Sequence, residues 1–332
     1  MKKFAVFLMI MATCGGTYGT GLDLQKQQII AQSDKTRVNV TTPPTLPKAK
    51  PTHTIDKRKY VSRDTEPFSA VVGLKYQGGE NWCSGTLTAD GIVVTAKHCI
   101  FDGYSNSYKP SDSIIINSRN GDTGVRTWRA SGHDVYPNGN YDDTYDWALL
   151  APRADIKSNI LVSKLTNGTG DVVLVGYGAL KILSDQEIRK IRTEYAKWLN
   201  RNAGTNVAGN AADLNERSSF GSQFVSDIKA DKINGIPSDT FNDTNKLKAS
   251  YCRATIGKAN SNEIGCQMWG GNSGGSVFLK RDNKWYLFGA HVSGHLNITN
   301  NRNTYAQGAR VVPINMFIES YKKLVNELKG KK

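Results

Sequence analysis

The sequence predicts an all-β fold built from antiparallel sheets or barrels, and two observations support this. From Phe68 onward the chain consists of short runs rich in β-branched and aromatic residues, separated by Gly, Asn and Asp. Such runs between turn residues are typical of antiparallel strands. Hydrophobic residues make up 39% and charged residues 22% of the 332 positions, which suits a folded chain with a sizeable core rather than a disordered one.

The predicted strands follow one another along most of the chain. The first group is FSAVVGLKY, CSGTLT, GIVVTA, SIIIN, WALL and DVVLVGYG, and the second is GSVFLK, WYLFGAHV and GARVV. Each run has strand length and is bounded by turn residues, so we expect a strand at each. No internal repeat is visible in the sequence.

Two segments have helical rather than strand periodicity. In Ser184–Asn200 the apolar residues recur at helical spacing, and Ser184 with Glu187 makes an S-x-x-E capping box. Pro313–Leu328 has a similar apolar face, and Pro313 suits a first helical turn. We therefore predict a partly helical insertion and a C-terminal helix on a β body. The apolar positions are Ile188, Ile191, Tyr195, Trp198 and Leu199, then Ile314, Phe317, Ile318, Tyr321, Leu324, Val325 and Leu328.

The N-terminus has the pattern of an export signal, predicted over residues 1–20. Two lysines precede the apolar run FAVFLMIMA, which is too short to span a membrane, and small residues follow. A buried N-terminal helix is the alternative. MATC loosely resembles a lipoprotein box, so the protein is expected to be secreted or periplasmic, with a lipid anchor at Cys14 as the alternative. Residues 21–60 are polar and proline-rich and end in a basic cluster, which predicts a propeptide or linker, or a disordered spacer.

Four cysteines remain if Cys14 is lost with the signal. An even number in an exported chain predicts two disulfides, for which three pairings are possible. We favour the local pairing, Cys83–Cys99 and Cys252–Cys266, in which each bond closes a loop of roughly 15 residues and contributes on the order of 3 kcal/mol. The chain has no CxxC pair and no Cys/His spacing typical of a metal site, so we expect no metal and no cofactor.

The formal net charge is +14, from 43 basic and 29 acidic residues. A basic exported protein can bind anionic surfaces or glycans, whereas the alternative is that the charge only keeps the protein soluble. The basic residues are spread along the chain without a helix-turn-helix, zinc-finger or RNA-recognition pattern, which argues against specific nucleic-acid binding. No second apolar run is a candidate transmembrane segment. We also expect the protein to be a monomer.

Three residues are candidates for nucleophilic catalysis. Ser273 lies in GGNSGG, where glycines allow backbone N–H groups to point into one cavity. His98 stands at the end of a predicted strand in VVTAKHC, and Asp146 directly precedes the apolar run WALL, where a buried strand is expected to begin. Asp142 and Asp143 lie in a polar stretch and are poorer candidates for orienting a base. Each of the three has an ordinary structural alternative: a flexible turn, an exposed histidine and a strand-edge turn.

Together, CSGTLTADGIVVTAKHC, DWALL and GGNSGG resemble, in order, the His, Asp and Ser motifs of chymotrypsin-fold serine proteases. The order His, Asp, Ser is that of this fold. The resemblance spans roughly 58–328 and implies two six-stranded antiparallel β-barrels, with a protease domain over 61–332. It implies that Ser273 is the nucleophile, His98 the base and Asp146 its orienting group. The N–H groups of Gly271 and Ser273 would form the oxyanion hole, and protein or peptide chains would be the substrates.

Within this fold, GGNSGG and the stretch VFLKRDNKWYLFGAHVSG look most similar to bacterial glutamyl endopeptidases. That resemblance implies that His291 faces a substrate glutamate, and that Ser293 and Gly294 lie along the bound peptide. A strand histidine with a satisfied hydrogen bond is the alternative for His291. Met268 stands where the family commonly has a small hydroxyl residue. In trypsin-like activation, an aspartate before the serine pairs with a newly freed N-terminus, and Asn272 cannot make that ion pair.

Residues 180–250 interrupt the resemblance, because the spacing between Asp146 and Ser273 exceeds that of the family. We expect either a lid or exosite, or a tolerated surface insertion. The overall expectation is a secreted serine endopeptidase, with a catalytically silent binding protein on the same fold as the alternative. A lipase is disfavoured because Ser273 lies outside a G-x-S-x-G motif.

Overall fold

Antiparallel strands dominate the computed structural model, as the short β-branched runs predict. The structure describes residues 58–102, 107–134, 142–163, 168–178, 181–202, 222–240, 243–256, 263–266, 272–297 and 306–330. All of these belong to one compact unit, Pro47–Lys332. The N-terminal segments predicted as signal and linker, including Cys14, lie outside the described residues except for the last three positions, 58–60.

The first half of this unit contains a closed six-stranded barrel, which confirms that part of the predicted fold. Its strands are hydrogen-bonded in the order β2-β3-β4-β9-β8-β7, and aliphatic side chains such as Val72, Leu74 and Ile116 fill it. The elements are β1 (Lys59–Tyr60), β2 (Val71–Tyr76), β3 (Asn81–Leu87), β4 (Val93–Thr95), β5 (Phe101–Asp102), β6 (Ser107–Tyr108), β7 (Ile114–Ser118), β8 (Gly121–Ala130) and β9 (Ala148–Pro152). β5 and β6 pair separately as a small hairpin.

Within the described residues, the second half forms a seven-stranded antiparallel sheet. It is not the second six-stranded closed barrel that was predicted. Its order is β1-β11-β10-β13-β14-β15-β12. The added edge strand is β1, because Lys59 pairs with Ala249 and Tyr60 with Lys248. Residues 58–60, predicted as the end of a linker, are thus built into this sheet, and Arg58 is buried. The remaining strands are β10 (Gly168–Gly176), β11 (Lys248–Ile256), β12 (Glu263–Ile264), β13 (Ser276–Arg281), β14 (Lys284–Asn297) and β15 (Ala306–Pro313).

The predicted insertion is helical and has a small core of its own. α1 (Asp185–Arg201) begins at the predicted capping box, where the Ser184 N–H donates to Glu187 Oε2 at 2.8 Å and the Glu187 N–H donates to Ser184 Oγ at 3.3 Å. α2 (Ser222–Lys229) packs against it. The side chains that form this insertion core are Ile191, Tyr195, Trp198, Phe224, Ile228, Ile233 and Ile236.

The C-terminal helix is confirmed, but it begins later than the sequence predicts. Pro313 is the last residue of β15 and pairs with Gly289, so the sheet continues to that point. A 3-10 turn (Ile314–Met316) follows, and then α3 (Ile318–Lys329). Phe317 stacks on Trp147 with ring centroids 5.7 Å apart, which packs the start of α3 against the chain entering β9.

Both predicted disulfides, Cys83–Cys99 and Cys252–Cys266, are present. The first ties β3 to the turn after β4, and the second ties β11 to the residues after β12. Among the described helices, none is both long and apolar enough to cross a membrane.

Candidate active site

His98 and Asp146 form a close pair at one end of the barrel. His98 lies in the 3-10 turn Lys97–Cys99 directly after β4, and Asp146 lies two residues before β9. β4 and β9 are antiparallel neighbours, so the chain leaving one meets the chain entering the other. Asp146 Oδ2 is 2.6 Å from His98 Nδ1, and Asp146 Oδ1 accepts a 2.8 Å bond from the His98 backbone N–H.

The hydrogen bond to Asp146 determines which ring nitrogen of His98 carries the proton. The Asp146 side chain is fully buried, whereas the His98 side chain remains 22% exposed. An ionised carboxylate can only accept hydrogen bonds, so the contact with Asp146 assigns the imidazole proton to His98 Nδ1. The other ring nitrogen, Nε2, is then an acceptor that can take up a proton. The pair therefore has the arrangement of a general base with an orienting carboxylate.

Lys97 anchors the turn that carries His98, a role that the sequence did not reveal. This lysine is only 5% exposed, and its ammonium donates to the carbonyls of Ser131 (3.0 Å) and His133 (2.8 Å). The His133 ring stacks on Tyr145, with centroids 4.0 Å apart, directly before Asp146. One short loop thus supports both the His98 turn and the Asp146 turn.

The described residues 272–275, which precede β13 and are here called the Ser273 loop, are held between the barrel and the sheet. The Ser273 carbonyl accepts a 2.7 Å bond from the Ser84 N–H of β3. Gly274 N–H donates to the His291 carbonyl at 2.7 Å, and His291 N–H donates to the Gly275 carbonyl at 2.8 Å. This reciprocal pair of bonds attaches the loop to β14, so the placement of Ser273 depends on both halves of the fold.

Gly274 is required by this packing. Its φ is +75°, a conformation that L side chains rarely adopt. A Cβ there would overlap the Ser84 carbonyl and the Thr95 hydroxyl, and would lie 3.1 Å from the Ala96 nitrogen. The backbone after Ser273 therefore lies directly against the end of β4, two residues before His98.

Asn272 occupies a fully buried position next to Gly176, Tyr177 and Gly178. A Cβ on Gly176 would lie 2.7 Å from Asn272 Oδ1, and one on Gly178 would lie 2.5 Å from Nδ2. Between them, the Tyr177 N–H donates to Ser84 Oγ at 2.8 Å. The two glycines thus leave the space that the Asn272 carboxamide fills.

His291 is buried in β14, with 4% of its surface exposed. Burial, reinforced by the nearby His98, lowers the pKa of His291 to about 4. The Arg310 backbone acts in the opposite direction on this pKa, and the buried Nδ1 has no hydrogen-bond partner among the described residues. The alternative expectation of a strand histidine with a satisfied hydrogen bond thus does not hold for Nδ1.

The remaining predicted site residues have different outcomes. Ser293 Oγ donates a 2.8 Å bond to Asp143 Oδ1, so this hydroxyl is engaged within the protein rather than free for a peptide. Gly294 lies in the backbone of β14. Gly271 and Met268 are outside the described residues.

Cys83, His98 and Cys99 are the one close grouping of possible metal ligands among the described residues. Both cysteines are joined in a disulfide, so they offer no thiolate. The grouping therefore reflects the disulfide packing against His98.

Comparison with known proteins gives one family match over part of the chain. A sequence model of the family described as Trypsin matches residues 59–218, which include His98 and Asp146 and end before Ser273. A solved structure titled "Structure of Glu endopeptidase in complex with MPD" is similar to 81% of this chain and 97% of its own, with 15% identity and a TM-score of 0.45. No curated protein matches. Residues 59–218, just under half of the chain, thus match the Trypsin family.

Proposed function

We propose that the protein is an exported serine endopeptidase in which Ser273 is the nucleophile, His98 the general base and Asp146 the orienting carboxylate. The observation that carries the proposal is the buried Asp146 carboxylate, which accepts two hydrogen bonds from His98 beside the Ser273 loop. A hydrolase of this kind needs a base whose proton-accepting nitrogen is fixed by a group on its other side.

The proposed reaction follows from these assignments. Ser273 Oγ attacks the scissile carbonyl while His98 Nε2 takes its proton, and Asp146 remains ionised and stabilises the imidazolium. The N–H groups of Gly271 and Ser273 would stabilise the oxyanion. His98 then donates the proton to the leaving amine, and water hydrolyses the acyl-enzyme by the same steps.

Export through residues 1–20 and maturation within residues 21–60 complete the proposal, with residues 58–60 joined to the protease domain of 61–332. The pairing of β1 with β11 supports a maturation cleavage before Arg58. Cleavage after Tyr60 would remove an edge strand and expose backbone groups of β11. A mature chain that keeps Arg58, Lys59 and Tyr60 is therefore favoured.

We further propose a preference for glutamate, or aspartate, before the cleaved bond, with His291 as the recognising residue. Its Nδ1 has no hydrogen-bond partner among the described residues, and an imidazole donates to a carboxylate more strongly when it is protonated. With a pKa of about 4, protonation of His291 at pH 7 costs about 4 kcal/mol. Binding of an anionic side chain would therefore draw a proton into the site.

This preference predicts a pH-dependent discrimination between matched peptides that differ only by Glu or Gln before the cleaved bond. The ratio of their kcat/KM values should favour Glu and fall at least about tenfold from pH 5 to pH 8, because protonated His291 becomes rarer. Any effect of pH on the catalytic step that both peptides share cancels in the ratio. A preference for Lys, Arg or large apolar residues would contradict the glutamate proposal and leave the mechanism intact.

The mechanism itself is tested by casein hydrolysis. Ser273→Ala should lower kcat by about 10⁶-fold, since the residues of a triad act as a unit. Equal hydrolysis by the parent and this variant would contradict the assignment. A parent protein that hydrolyses nothing would instead favour the catalytically silent binding protein.

A further inference from the structure

We infer that Asp143, Ser293 and Arg310, here called the Asp143 bridge, position the Asp146 turn relative to the strand that holds the Ser273 loop. The inference rests on the proposed function, because positioning matters only if these residues catalyse. Asp143, a poorer candidate than Asp146 for orienting a base, is thereby given a positioning role. Ser293, which was predicted to contact the bound peptide, instead bonds to Asp143.

The Asp143 bridge is a charged network with two short contacts. Asp143 Oδ1 accepts a 2.8 Å bond from Ser293 Oγ, and Asp143 Oδ2 accepts a 2.6 Å bond from Arg310 Nη1. Asp143 is 8% exposed, and the Arg310 side chain is 32% exposed. Charge-assisted bonds of this length are stronger than neutral ones, and their geometry is more restrictive when one partner is buried.

Asp143 is directly connected to the proposed catalytic aspartate. It begins the 3-10 turn Asp143–Tyr145, and its carbonyl accepts the Asp146 N–H at 3.3 Å. Asp142 holds the same turn by accepting the Thr144 N–H at 2.9 Å. A shift of Asp143 would therefore be passed through one tight turn to Asp146 and on to His98.

The other end of the Asp143 bridge is connected to Ser273. Ser293 and Arg310 face each other across β14 and β15, at a shift of register that lies between His291 and Ser293. His291 is the residue whose backbone holds Gly274 and Gly275. The barrel supplies His98 and Asp146 while the sheet supplies Ser273, so the Asp143 bridge joins the two halves beside the residues that must meet.

Asp143→Asn tests this role, because it removes the charge and keeps the shape. We expect kcat for a peptide substrate to fall by about 10- to 100-fold, with KM within about twofold, since small misplacements of catalytic groups have effects of this order. Arg310→Lys, which keeps the cation, should lose less activity than Arg310→Gln.

Glu327→Gln is the matched control. Glu327 accepts two bonds from Arg129, at 2.5 and 2.7 Å, so this variant also removes a carboxylate from an arginine. That pair joins α3 to β8 and includes none of the Asp143 bridge residues, and kcat should stay within about twofold of the parent. A kcat for Asp143→Asn equal to that of Glu327→Gln, or a loss confined to KM, would overturn the inference.

Two further measurements cover the remaining outcomes. If Asp143→Asn does not fold, Ser293→Ala, which loses only a hydroxyl, decides between the outcomes. A parental kcat overturns the inference, and a several-fold loss of kcat supports it.

An NMR measurement on the Ser273→Ala variant requires no catalytic turnover. In this variant the proton between His98 and Asp146 can be followed by its far-downfield resonance. Addition of Asp143→Asn should shift or broaden that resonance, whereas addition of Glu327→Gln should not. An unchanged resonance overturns the inference, and a parent that hydrolyses nothing refutes the proposed function separately.

Discussion

The residues around Ser273 show how backbone conformation and close packing determine which amino acid fits. Gly274 combines a positive φ with a Cβ direction that points into Ser84 and Thr95. Gly78 has almost the same φ, +77°, but a Cβ there would have nothing within 4 Å. The two positions therefore separate the cost of backbone strain from the cost of overlap.

We predict that Gly274→Ala lowers the free energy of unfolding by about 3 kcal/mol or more, because strain and overlap add. Gly78→Ala has strain alone and should cost about 1 kcal/mol. Urea denaturation followed by tryptophan fluorescence measures both. Equal losses in the two variants would show that the close approach of Gly274 to β4 contributes nothing.

The sequence predicts the roles of single residues where the adjacent residues in the chain indicate the local structure. The glycines of GGNSGG and the apolar runs beside His98 and Asp146 are visible in the sequence. The partners of Lys97 and of Asp143 are not: Lys97 donates to a carbonyl 36 residues away, and Asp143 pairs with Arg310 at a separation of 167 residues. A polar stretch gives no sign of such contacts, because they depend on the tertiary fold.

At the scale of elements, the insertion is a helical unit with its own core. Trp198, Phe224 and Tyr195 pack together with ring centroids 4.9 to 6.1 Å apart, and Trp198 Nε1–H donates to Asp227 at 2.9 Å. This insertion core is separate from the main core of the barrel and sheet. The helical spacing and the capping box in the sequence were sufficient to predict α1, because amphipathic periodicity and caps are local signals.

We predict that Phe224→Ala loosens the insertion without loosening the barrel. Removal of a fully buried ring from a small core costs about 3 to 5 kcal/mol. Hydrogen exchange should accelerate in α1 and α2, while exchange in β2, β3 and β4 stays at parental rates. Lys197→Ala, at an exposed position of α1, should change neither region. Simultaneous loss of protection in the barrel would contradict a separate insertion core.

At the scale of the whole molecule, the proposed catalytic groups come from two halves of one chain. The barrel was predictable because its strands alternate with turn residues, and both disulfides were predictable because each closes a short loop. The seventh strand of the sheet was not predictable, since Lys59 and Tyr60 follow a polar, proline-rich segment. These two residues form a strand because they pair with β11 at the edge of the sheet.

Charge is also distributed unevenly over the whole molecule. Residues 1–57 contain eight of the 43 basic but only three of the 29 acidic residues, so they carry +5 of the net charge of +14. Removal of this segment during maturation would leave a net charge of +9. The attraction to anionic surfaces expected from the charge is therefore stronger in the precursor than in the mature protein.

The most direct test of the central assignment is covalent labelling by a serine-directed fluorophosphonate, with the adduct located by mass spectrometry. We predict a single adduct on Ser273 in the parent and in the control Ser62→Ala, which removes an exposed hydroxyl that is hydrogen-bonded to Asp64. We predict no adduct in Ser273→Ala, because the reaction needs a nucleophile activated by His98. Absence of an adduct in the mature parent protein, or equal labelling of Ser273→Ala, would contradict the account.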